Sequence, residues 1–146
     1  MNRAKKYPET ETFHYFNANP KNRITEDCVY RAVTMASGLP YETVVRGMAE
    51  MFIKTGYCPQ GNNGMKSYLT SIGFVEQKQP RKSDNTKYTG KEFCEFLNRT
   101  HAPYKGIVAN IGGHHTVCFQ KVDGKWKVVD IWDSTEGSIG KYFILK

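Results

Sequence analysis

Residues 114–133 read HHTVCFQKVDGKWKVVDIWD, and this stretch decides the architecture. Two runs rich in β-branched and aromatic residues flank Asp123-Gly124, a pair that accepts the positive φ angles of a two-residue hairpin turn. The spacing predicts antiparallel strands over 115–122 and 125–132. Such a turn sets His115 opposite Trp132, Val117 opposite Asp130 and Phe119 opposite Val128, all on one face. His114, Thr116, Cys118, Gln120, Ile131 and Asp133 then share the other face. On the first face His115 and Asp130 are diagonal neighbours, so the carboxylate can orient the imidazole beside the Trp132 indole. On the second, His114 lies across from Asp133. A one-residue bulge would exchange the two histidines.

Outward from the hairpin, strands are expected at 107–111 and 142–145, with helices before them. Asp27 is placed to cap a helix in which Val29, Ala32, Val33 and Ala36 recur on one face and which Gly38 stops. A second helix starts at Pro40 with the apolar stripe Tyr41, Val44, Val45, Met48 and Phe52, and closes at Gly56. A shorter helix covers 65–71, and Gly73-Phe74-Val75 turns into a strand. Residues 77–90 form a polar loop. Another helix over 91–98 turns Phe93, Phe96 and Leu97 inward, and Phe13–Phe16 is strand-like. Helices first and strands after indicate an α+β protein, with the N-terminal helices packed on a C-terminal antiparallel sheet. A single domain over 1–146 is expected, with 1–12 a candidate for a flexible extension.

With 146 residues, the chain can bury about two-thirds of its unfolded surface without staples. An apolar fraction of 39% and an aromatic fraction of 13% exclude a disordered chain and a coiled coil. No apolar run reaches bilayer length, and the opening MNRAKKYPETETFHYF carries no apolar export segment. A cytoplasmic protein without a membrane partner is therefore the expectation. The net charge of +7 would suit an anionic partner, but no DNA- or RNA-reading motif accompanies it, so nucleic acid is not the expected ligand.

Chemistry points to Cys28. A thiol in the first turn of a helix meets unpaired backbone N–H groups and the positive end of the helix dipole, which favour the thiolate. Cys58, Cys94 and Cys118 read as small apolar residues, and no CxxC pair exists. Gly112-Gly113-His114-His115 opens a strand. With Cys118 the histidines lack a fourth ligand at any usual spacing, so no metal or other cofactor is expected. A general base for Cys28 is the better role: His115, supported by Asp130 and Trp132, with His114 as the alternative base.

A Cys at the start of an early buried helix, a His opening a later strand and an Asp on the next strand resembles the order in papain-like cysteine peptidases. It is equally similar to that of bacteriocin-processing peptidase domains. Asp130-Ile131-Trp132 resembles the Asn-Ser-Trp segment of the first group, with Asp for Asn as in the second, and TEDC at 25–28 resembles the approach to their nucleophile. Taken together, FNANPKNRITEDCVYRA, SYLTSIGF, HHTV, VVDIWDS and SIGKYF look like small papain-like proteins encoded by bacteriophages, a resemblance spanning residues 13–144. It implies a Cys28–His115–Asp130 triad acting on a peptide or protein substrate. It also implies an oxyanion-binding side chain six residues before the Cys, where Asn22 stands in place of Gln. Val29 occupies a position that is Gly in the bacteriocin peptidases. Thiol amidase, deamidase and transferase reactions use the same constellation. The alternative is a catalytically weak or inactive papain-like module that binds a host protein.

Overall fold

The computed structural model describes residues 2–146. The chain runs α1 (Arg3–Lys6), β1 (Phe13–Tyr15), α2 (Cys28–Ser37), α3 (Tyr41–Thr55), α4 (Asn62–Ser71), β2 (Val75–Gln77), α5 (Gly90–Arg99), β3 (Gly106–Ile111), β4 (His115–Val122), β5 (Lys125–Asp130) and β6 (Ile139–Leu145). The fold is α+β, as expected.

Asp123 and Gly124 adopt φ angles of 51° and 81°, which match the right-handed twist of the strands they join. The β4–β5 ladder follows without slip from Val122↔Lys125 to Cys118↔Val129. That is the register read from the two-residue turn. The ladder then stops, and β5 ends at Asp130 rather than at Trp132. Beyond Cys118 and Val129 the two strands no longer pair with each other.

The sheet has six strands in the order β1-β5-β4-β3-β6-β2. It is mixed rather than wholly antiparallel, because β1 pairs in parallel with β5, Phe13 against Val128 and Tyr15 against Asp130. The short β2 closes the other edge against β6. Both faces are covered. Val29, Ala32, Val33 and Ala36 of α2 lie on the side of Val108, Cys118, Val129 and Phe143, with α3 and α4 outside them. Phe93 and Leu97 of α5 fill the opposite side with Val117, Phe119, Trp126 and Val128. Thr89 and Glu92 cap α5 reciprocally, each side chain accepting the other's backbone N–H.

The stripe predicted for α3 is narrower in the structure. Val44 and Met48 are buried and Met51 packs against the core beside them, but Phe52 is 44% exposed. Residues 2–12 are fastened to the domain: Arg3 Nε donates to the Ile131 carbonyl at 2.7 Å, and Thr12 is buried.

Gly106 sets how closely α2 approaches the sheet. A Cβ there would lie 2.3 Å from the Ala36 carbonyl oxygen, backbone against backbone. Gly106→Ala is expected to cost about 1–3 kcal/mol by overpacking, read as a lower urea midpoint at unchanged slope.

Candidate active site

The site is assembled where the β4–β5 ladder ends. Alternation aligns His115 and Asp130 with the residues facing α5, while Cys28 and Arg31 belong to the helix on the other face. They meet because His115 is the first residue of β4 and Asp130 the last of β5. Past Cys118 and Val129 the two strands no longer pair with each other, although β3 still pairs with His115 and β1 with Asp130.

His115 Nε2 lies 2.6 Å from Asp130 Oδ2, with the carboxylate side chain only 2% exposed. This bond leaves Nδ1 as the ring nitrogen available to the thiol. The Trp132 ring sits 4.9 Å from the imidazole, centroid to centroid, at 38°. Although Trp132 lies outside the strand, it covers the imidazole as the register suggested. His114 is exposed in the turn begun by Gly112 and Gly113 and has no carboxylate partner among the described residues.

Cys28 is half-buried at the first position of α2. Burial disfavours its thiolate. The hydrogen bond from His115, the Thr116 backbone N–H, and the positive charges of His115 and Arg31 outweigh that cost and hold the thiol below its ordinary pKa. His115 moves the opposite way. Burial disfavours the imidazolium, yet its bonds to Asp130 and Cys28 and their negative charges raise it to about 9. A thiolate beside an imidazolium is the favoured pairing. In contrast, burial pushes Cys94 up to about 12 and also raises Cys118.

Behind the pair runs a buried ionic chain with no counterpart in the sequence expectations. Asp130 Oδ1 accepts from Arg31 Nη1 and, at 2.7 Å, from the Ile131 backbone N–H. Arg31 Nε donates to Asp27 Oδ1 at 2.8 Å. Asp27 Oδ2 in turn accepts from the Tyr41 hydroxyl at 2.9 Å and Asn19 Nδ2 at 3.1 Å. Asp27 is therefore not the side-chain cap predicted for α2. Its carboxylate turns toward Arg31, and the guanidinium between two carboxylates fixes Asp130 from behind. Arg31 stands four residues after Asp27, a helical ion-pair spacing visible in the sequence, but its reach to Asp130 spans 99 positions.

Asn22 does not join this group. It occupies a left-handed turn position, φ 53°, is exposed, and its Oδ1 accepts from Asn17 Nδ2 at 3.3 Å. A cavity of about 580 Å³ opens over Cys28, and its wall includes His115, Trp132, Thr25 and Gln60 but not Asn22. Gln60, from the loop before α4, donates to the Glu26 carbonyl at 3.3 Å. No short-range signal links it to Cys28, since the contact depends on how α4 docks. Among the described residues, no three His, Cys, Asp or Glu side chains converge to hold a metal ion.

No protein-family model, curated protein or solved structure matches the chain.

Proposed function

We propose that this protein is a papain-like cysteine hydrolase, most simply a peptidase. The observation that carries the reading is the unbroken line Cys28–His115–Asp130 at the start of a buried helix, on the floor of an open cavity. In the proposed reaction the Cys28 thiolate attacks a substrate carbonyl carbon and forms an S–C bond. The oxyanion meets the unpaired N–H groups of the first turn of α2, with the Gln60 amide on the same wall. His115 gives its proton to the departing amine as the C–N bond breaks. Water then attacks the thioester and returns a proton to His115, and the thiolate leaves. Asp130 and Trp132 hold the imidazole throughout.

The test is incubation with a peptide mixture and detection of new N-termini by mass spectrometry. Wild type should generate them and Cys28→Ala should not, while both unfold at the same urea concentration. Equal cleavage by the two proteins would overturn the reading. The pH profile follows from the pair. Activity should rise with pH through a limb below the ordinary thiol range as the thiolate forms, because that pKa is lowered. It should fall near pH 9 as His115 loses the proton it must donate.

A further inference from the structure

The wall of the cavity over Cys28 carries a charge that the proposed reaction does not use. Arg3, from the N-terminal segment expected to be flexible, lines that cavity with Trp132 and Gln60 and is half-buried there. Its Nε donates to the carbonyl of Ile131, one residue past Asp130, at 2.7 Å. Its guanidinium also lies over the Tyr7 ring, 5.4 Å from the centroid. These two contacts hold the planar group against the end of β5. Neither Nη atom has a hydrogen-bond partner among the described residues, and neither is closed off from solvent. A paired Nη fork matches the two oxygens of a carboxylate.

No acid of the chain answers this cation. Arg3 is in no ion pair among the described residues. The acids of its own segment are engaged elsewhere, Glu9 by Lys127 and Glu11 by Lys125. Glu26 stands on the same wall, but it is exposed and not within ion-pair reach of the guanidinium. Arg31 and His115 also reach the cavity, with charges already met by Asp27, Asp130 and the Cys28 thiolate. His114 adds a base to the wall rather than an acid. A guanidinium partly withdrawn from water without a counter-ion has lost hydration that a ligand carboxylate would replace.

We infer that Arg3 is a specificity-determining residue that receives a substrate carboxylate, from an acidic side chain beside the scissile bond or from the end of a peptide. The inference rests on the hydrolase reading for its place in the reaction, though not for the binding of a carboxylate.

Binding can be tested without turnover. The indole N–H resonance of Trp132 reports occupancy of the cavity, and that of buried Trp126, bonded to the Ala102 carbonyl, serves as an internal control. Acetyl-alanyl-glutamyl-alanine amide should shift the Trp132 resonance at about a tenfold lower concentration than its glutaminyl or lysyl counterpart. Acetyl-trialanine as free acid, set against its amide, tests the terminal carboxylate, and the acid that shows the gain identifies the source. Arg3→Gln should erase the gain, and Arg3→Glu should pass it to the lysyl peptide. Equal responses to charged and neutral peptides, no response, or a preference for the lysyl peptide in the wild type would overturn the inference. So would a uniform weakening of all the peptides in Arg3→Gln, which is the result of a merely structural arginine. The peptide-mixture digest separates this from the hydrolase reading. Cys28-dependent cleavage with no enrichment of Asp, Glu or a chain end beside the cut overturns the substrate preference alone. Carboxylate-selective binding with no Cys28-dependent cleavage overturns the hydrolase reading and leaves a carboxylate site.

Discussion

Iodoacetamide should alkylate Cys28 at pH 6 at least ten times faster than the exposed Cys58 in the same molecule, and His115→Ala should abolish the difference. An unperturbed thiol with a pKa of about 8.5 is only about 0.3% thiolate at that pH, so full ionisation would multiply the reactive fraction by about 300. Lower basicity makes each thiolate a poorer nucleophile and takes back part of that gain. Both the bond from His115 and its charge act on the Cys28 sulfur and lower its pKa, so a net advantage of at least tenfold is the expected result. At pH 6 the imidazole is protonated, since its pKa is raised to about 9. His114→Ala should leave the rate unchanged, because His114 is exposed and does not engage Asp130. Site-by-site mass spectrometry reads all four cysteines at once, with Cys94 and Cys118 silent in their buried positions. A Cys28 rate equal to that of Cys58 would mean that the free protein holds no activated thiol. The proposed alternative, a papain-like module that binds a partner without turnover, would then lead.

Arg31→Met is expected to cost about 3–5 kcal/mol, a large share of the roughly 5–15 kcal/mol that holds a domain of this size together. Methionine keeps much of the aliphatic packing, but it leaves Asp27 and Asp130 buried at 6% and 2% exposure without the cation that lies between them. The penalty comes chiefly from the stranded charges rather than from the loss of a favourable pair. Adding Asp27→Asn to Arg31→Met should therefore recover part of the loss, since it removes one of those charges while the Tyr41 hydroxyl and Asn19 amide remain nearby. Urea titrations at pH 7 of the single and double variants measure both effects. A loss below 1 kcal/mol, or no recovery in the double variant, would show that the chain of charges does not support the fold in this way. Arg31→Met should also slow alkylation of Cys28, because Asp130 loses one of the groups that hold it against His115.

Much of this arrangement is legible in the chain. The apolar spacing of α2 and the Gly38 that ends it place Cys28 at a helix start, because 3.6-residue periodicity and a left-handed C-cap are local properties. Asp123-Gly124 carries the register of β4 on β5, because a two-residue turn admits one pairing, and that pairing sets His115 rather than His114 near Asp130 and Trp132. The edges of the sheet are less local. Nothing in a three-residue strand states its direction, and β1 lies parallel to β5 only because the intervening chain returns it there.

By itself, then, the sequence determined helices α2 to α5, the hairpin register, and the choice of His115 and Asp130 as neighbours, since each follows from the conformations open to a few consecutive residues. The short α1 was not among its expectations. The tertiary structure alone decided the rest. The β4–β5 ladder ends before Asp130, and at that end of the sheet the His115–Asp130 pair meets Arg31 and Cys28 of α2. Arg31 reaches across 99 positions to clamp Asp130. Gln60 stands on the wall over Cys28 where Asn22 was expected. These are contacts between segments distant in the chain, and their formation depends on how whole layers dock rather than on any local pattern.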